Sequence, residues 1–184
     1  IFGEGEWKVR QHGVGKRRTW RKIHLAVDEA EKDIIGIELT TADWGDSEVF
    51  PDLLAQVDGE VAQVSADGAY DTERCHRSIA ERGAQAAIPP RDGAVRWGDN
   101  HPRDATLAVI ADRGRDGWKE DSGYHRRSLA ENMMFRLKQL GDRLFSRTFE
   151  RQVAEAHVRV VILNGFTYLG MPRSVRAGQI APAA

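Results

Sequence analysis

The chain has almost no sulfur chemistry and no long apolar stretch. One residue of 184, Cys75, is a cysteine, so no disulfide framework can form and a reducing cytoplasm is the expected compartment. No apolar run reaches the roughly 18 residues that a membrane-spanning helix needs, and a secretory leader is not expected. A glycine-rich phosphate loop, a zinc-ligand cluster and a nucleophile elbow are all missing, which excludes the chemistries those motifs signal. Internal repeats and low-complexity tracts are also lacking. The sequence starts with Ile1, not Met, in strand-like surroundings, so a preceding segment is expected.

What is present suits one globular domain. Hydrophobic residues make up 41% and charged residues 30%, enough for a real core over residues 1–172, with a frayed tail at 173–184. The net charge of −1 hides an uneven distribution. Lys8, Arg10, Lys16, Arg17, Arg18, Arg21 and Lys22 fall in a stretch without a single acid. Such a block suits phosphate contact through counterion release, and it equally suits a solvated basic loop. Trp7 and Trp20 bracket it, which adds a base-stacking reading. For Trp44, Trp97 and Trp118 core packing is the simpler expectation.

Hydrophobic periodicity predicts a short strand near Glu6–Arg10 and a hairpin of two strands, Thr19–Asp28 and Asp33–Thr40. In the first of these, Ile23, Leu25 and Val27 face one way. His24 is expected on the polar side, in a structural role. A helix capped by Asp46 or Ser47 should run to about Val57, and a short strand over Val61–Ala66 should end at Asp67-Gly68. A helix capped by Asp71 should stop at Gly83, followed by a strand at Gln85–Ile88. Beyond a polar loop, helices are expected over Arg103–Arg113, Tyr124–Leu144 and Glu150–Leu169. That order describes an α/β domain, a mixed sheet flanked by helices, whose strand ends are where sites collect.

Two carboxylates stand out. Asp67 closes a buried strand and is followed by Gly68, which would let the backbone turn sharply and leave room for a ligand. An Asp-Gly pair also serves as an ordinary turn. Glu131 lies in GYHRRSLAENMMFRLKQL, residues 123–140, where Tyr124, Arg127, Glu131 and Lys138 fall within roughly 60° of one another at about 100° per residue. Leu129, Met133 and Leu137 occupy the opposite face. The stripe is either a solvated surface with an i,i+4 ion pair or part of a site. Asp28 also closes a strand, yet the following turn needs a polar residue whatever the function. Cys75 reads as a small helix hydrophobe.

The pattern Tyr124-x2-Arg127-x3-Glu131-x6-Lys138 resembles the Y-R-E-K signature of bacterial insertion-sequence DDE transposases. SADGAYDTERCHRSIAERGAQAAIPPR, residues 65–91, resembles that family's segment around its second catalytic aspartate. EWKVRQHGVGKRRTWRKIHLAVD and RQVAEAHVRVVILN are similar to its flanking strands and terminal helix, so the likeness covers nearly the whole chain. The resemblance implies a ribonuclease H-like fold with its first strand partly or wholly missing, and DNA cleavage and strand transfer at transposon ends. It implies two Mg2+ ions, or Mn2+, held by carboxylates, with Asp67 as the second aspartate and Glu131 as the glutamate. Tyr124, Arg127 and Lys138 would handle DNA near the cut, and Lys16, Arg17 and Arg18 would add phosphate contacts. The family's first aspartate is expected ahead of Ile1, as is a helical region that aids DNA binding and homodimer formation. The partners implied are the terminal inverted repeats and target DNA, in the nucleoid. The alternatives are a ribonuclease H-like nuclease without strand transfer, or an inactive remnant or regulatory fragment.

Overall fold

A computed structural model describes residues 20–98 and 101–170. The strand expected near Glu6–Arg10 and the cations Lys16, Arg17 and Arg18 lie outside the described residues.

The hairpin forms as its alternation dictates. Strands β1 (Arg21–Val27) and β2 (Ile34–Thr41) pair antiparallel, with a bulge at Ala26/Val27. Asp28 builds the turn: its Oδ1 accepts the Ala30 and Glu31 N–H groups at 2.8 and 2.7 Å. Ile23, Leu25 and Val27 pack on a core of Ile34, Ile37, Met133, Leu137, Ala156, Val160 and Leu163. His24 points the other way, but that face is covered by the next helix and the ring is 5% exposed, bonded to Thr40 Oγ1 at 3.0 Å. The expected polar face is therefore an interior one.

Helix α1 (Asp46–Ala55) starts one residue earlier than a side-chain cap would place it. Gly45 is the N-cap, and its N–H donates to Glu48 Oε2 at 2.6 Å. Strand β3 (Gln63–Ser65) leads into a 3-10 turn, Gly68–Tyr70, and helix α2 (Glu73–Glu81). Thr72, not Asp71, caps α2, its hydroxyl accepting the Cys75 N–H. Strand β4 (Gln85–Ala87) pairs parallel with β3. Phe50, Leu54, Cys75, Ile79 and Ile88 make a second core beneath this pair.

The expected single mixed sheet is not what forms among the described residues. β1–β2 and β3–β4 are two separate two-stranded sheets. The successive residues 23–28 and 60–67 line one cleft of about 1380 Å³, so β1 and β3 turn edges toward a common space rather than bonding to each other.

The C-terminal helices also differ in detail. α3 (Pro102–Ser122) continues past Gly114, whose φ of 74° and ψ of 172° break it into two helical pieces. Tyr124–Arg127 is a 3-10 turn, and the α-helix proper, α4 (Ser128–Gln139), begins only after it. The single helix expected over Tyr124–Leu144 is thus shorter at both ends. α5 (Phe149–Leu169) packs on β2, where the Asn164 side chain bonds both the N–H and the C=O of Ile34, at 3.0 and 2.9 Å. No helix among the described residues is long and apolar enough to cross a membrane.

Candidate active-site cleft

Asp67 is placed by the end of β3. It is the N-cap of the 3-10 turn, and its Oδ1 accepts the Ala69 N–H at 2.9 Å. The carboxylate is exposed and lines the cleft. Gly68 is not needed for its conformational freedom here: its φ is not positive, and a Cβ would meet the Pro89 carbonyl at 3.4 Å, an ordinary contact.

Glu131 comes to the same cleft from the opposite wall, in the first turn of α4. Met133 and Leu137 are buried on the other face of the helix, as the periodicity requires, whereas Leu129, expected with them, is half-buried and lines the cleft. The carboxylate is 61% exposed, and Oε1 accepts from Arg127 Nη2 at 2.6 Å. A carboxylate has about four lone-pair sites, so this bond leaves capacity for another partner.

The 3-10 geometry tightens the stripe. At three residues per turn Tyr124 and Arg127 eclipse each other, and the guanidinium carbon lies 5.5 Å from the centroid of the Tyr124 ring. Tyr124 packs in turn against Trp118, with centroids 5.2 Å apart. Burial and the negative charges of Asp67 and Glu131 push the Tyr124 hydroxyl above its ordinary pKa, against the opposing pull of Arg127. Burial alone would lower Arg127, but Tyr124, Glu131 and Asp67 outweigh it and raise its pKa. One guanidinium therefore senses both carboxylates, although its hydrogen bond goes to Glu131 alone.

The structure brings Asp67, Arg127, Glu131 and Lys138 onto one cleft. Tyr124 does not line it but backs Arg127. A smaller recess of about 350 Å³ adjoins it, where Arg21, Lys22 and Lys138 meet His24, Asp46 and Tyr70. Burial, then Asp46 and Asp67, push the Tyr70 hydroxyl up to about 12. Arg126 and Glu29, which the sequence reading passed over, form a 2.7 Å ion pair that ties the hairpin turn to the 3-10 turn beside the cleft. Only their charge could have flagged them, because the turn conformation that joins them is not written in any spacing.

A hard divalent cation suits the donors present, since Asp67 and Glu131 offer only carboxylate oxygen on an open surface. They supply part of a ligand set: no group of three or more His, Cys, Asp or Glu side chains among the described residues is placed to hold a metal ion.

A family model described as transposase DDE domain matches residues 1–164. No solved structure matches the chain.

Proposed function

Because the chain belongs to the transposase DDE-domain family, we propose that residues 1–172 form the catalytic domain of a DNA transposase, ribonuclease H-like in architecture, with 173–184 as a tail. The domain would cut DNA at transposon ends and join the freed strand to a target. The observation that carries this reading is that Asp67 and Glu131 line one cleft and that Arg127, bonded to Glu131, senses the charge of both.

Asp67 and Glu131 would hold divalent metal, Mg2+ or Mn2+. When bound, the metal supplies Lewis-acid activation and neutralises charge at the scissile phosphate. Arg127 can grip a phosphate with two parallel donors, a geometry lysine cannot supply. Its bond to Glu131 keeps the guanidinium at the mouth of the cleft before DNA arrives. Tyr124 holds that guanidinium from behind, and Lys138 adds a point charge further along the same wall. Water would attack the phosphodiester at the transposon end. The released 3′ hydroxyl would then attack a target phosphodiester in line, so no protein nucleophile is required.

In the complete protein, Asp67→Asn and Glu131→Gln should each lower metal-dependent strand cleavage on the order of 10³-fold, about 4 kcal/mol of barrier, with an unchanged circular dichroism spectrum. Near-normal cleavage in either variant removes that residue from the catalytic role. Joined products in the same assay separate transposition from simple nuclease action.

A further inference from the structure

We infer that Arg91, Asp71 and Arg103 form a clasp that positions Asp67, so that the segment 91–104 sets the geometry of a candidate metal ligand from outside the cleft. The inference rests on the metal-binding reading of Asp67 given above.

The turn that carries Asp67 is gripped from two sides. On one side the Arg91 guanidinium donates to the carbonyls of Gly68 and Ala69, Nε at 3.0 Å and Nη2 at 2.9 Å. Ala69 thus gives its N–H to the Asp67 carboxylate and its C=O to Arg91, so the two bonds pull on one peptide neighbourhood. On the other side Asp71, directly after the turn, is buried with its side chain 1% exposed. Its two oxygens accept from Arg103 Nε at 2.6 Å and Nη2 at 2.7 Å, a fork-to-fork pair. Oδ2 also accepts the Arg91 backbone N–H at 3.1 Å, and His76 Nε2 lies 3.2 Å from Oδ1. Arg103 is fixed in its turn, donating to the Val95 carbonyl at 2.8 Å and stacking 4.1 Å over the Trp97 ring.

Neither arginine of the clasp, nor Asp71, lines the cleft. They reach Asp67 only through the backbone of the 3-10 turn. Such a network does more than stabilise a loop. A carboxylate on a two-residue spacing from its own hydrogen-bond donor moves whenever that donor's peptide rotates, and Arg91 opposes the rotation by bonding the Gly68 carbonyl of that same peptide, alongside the Asp71 N–H. Groups that orient a ligand typically set metal affinity by 10–100-fold without touching the metal. Asp71 is the anchor and Arg91 the adjustable arm. Breaking the Asp71–Arg103 pair would strand a buried charge and endanger the fold, whereas Arg91 is exposed and can be changed safely.

The test uses the complete protein, Mn2+ as the probe and free-Mn2+ electron paramagnetic resonance as the readout. Arg91→Gln should weaken Mn2+ binding about ten-fold with an unchanged thermal melt, and Arg91→Lys should restore part of the loss. Amide hydrogen exchange at Ala69 should quicken in Arg91→Gln and slow again in Arg91→Lys. Equal Mn2+ affinity in wild type and Arg91→Gln overturns the positioning role, as does unchanged exchange at Ala69. If the wild-type chain binds no Mn2+, the metal reading of Asp67 fails, and the clasp then stands or falls on the Ala69 exchange rate alone.

Discussion

The two walls of the cleft carry opposite charge. The wall built from the end of α1 and β3 presents Asp58, Glu60 and Asp67 and no cation. The wall built from the 3-10 turn and α4 presents Arg126, Arg127 and Lys138, with Glu131 as its acid. Each wall rests on its own apolar core and its own two-stranded sheet. The division of labour follows from electrostatics: a divalent cation is drawn toward the acidic wall, a phosphate backbone toward the basic one. Glu131 stands beside Arg127 on that wall, as Glu29 stands beside Arg126, and on the proposed reading Glu131 would close the metal site from the DNA side.

If the two cores are separate cooperative units, breaking one should spare the other. Leu137 and Ile79 are 0% and 1% exposed at the centres of the two clusters. Leu137→Ala and Ile79→Ala should each cost about 2–5 kcal/mol. Cys75 reports which core has opened, because it is fully buried in the Ile79 cluster and burial pushes its thiol pKa up. Thiol labelling at neutral pH should accelerate strongly in Ile79→Ala and little in Leu137→Ala. Equal acceleration would show a single cooperative core spanning the cleft.

A smaller effect separates the walls by pH. Burial holds His24, on the β1 side, and His76, on the α2 side, below the ordinary value of 6.5, although Asp46 and Asp71 pull the other way. Lys22 adds to the lowering at His24, and Arg103 and His101 add to it at His76. Both rings stay neutral in the folded protein where the unfolded chain takes up a proton. Stability is therefore full above about 6.5 and declines as the pH falls below it. Asp71 adds nothing in that window: burial would raise its pKa, the bonds from Arg103 and Arg91 more than offset this, and its contribution is lost only below the unfolded value of 3.8. The melting temperature should fall between about pH 7 and pH 5. His76→Gln should remove the acid sensitivity of Cys75 protection, while His24→Gln should leave it intact. The reverse pattern would mean that the β1 side governs acid loosening of both cores.

The sequence was most legible where periodicity and chemistry coincide. The alternation of Ile23, Leu25 and Val27 marked β1, and the spacing of Met133 and Leu137 marked the buried face that leaves Glu131 outward. Asp67 was visible as the polar close of an apolar strand. The separation into two sheets was not legible, because pairing partners are a tertiary choice that no single strand encodes. Asp71 was misread as a helix cap: its position before Glu73 suits a cap, and nothing local announces Arg103 as the partner that claims it. Tyr124–Arg127 reads as α-helix because a 3-10 turn and the first turn of an α-helix share one composition, and the backbone stays right-handed helical through the junction at Arg127 and Ser128. Helix α3 was cut short at Gly114 for the converse reason, since a glycine that breaks a helix does not tell whether a second one follows.

The smallest effect tests the basic wall alone. Lys138 is exposed, lines both the main cleft and the adjoining recess, and has no carboxylate partner among the described residues. Its ammonium is therefore available to a phosphate without first breaking an ion pair, unlike Arg127, which must share with Glu131. Lys138→Ala in the complete protein should weaken transposon-end binding several-fold and lower the slope of log affinity against log salt by about 1. Sequence preference should not change, because a phosphate contact carries no base information. Asp58→Asn on the opposite wall provides the contrast: it should leave the salt slope unaltered or strengthen binding slightly by removing repulsion. A reduced slope in Asp58→Asn, or an unchanged one in Lys138→Ala, would put the DNA backbone on the wrong wall and reverse the assignment of the two sides.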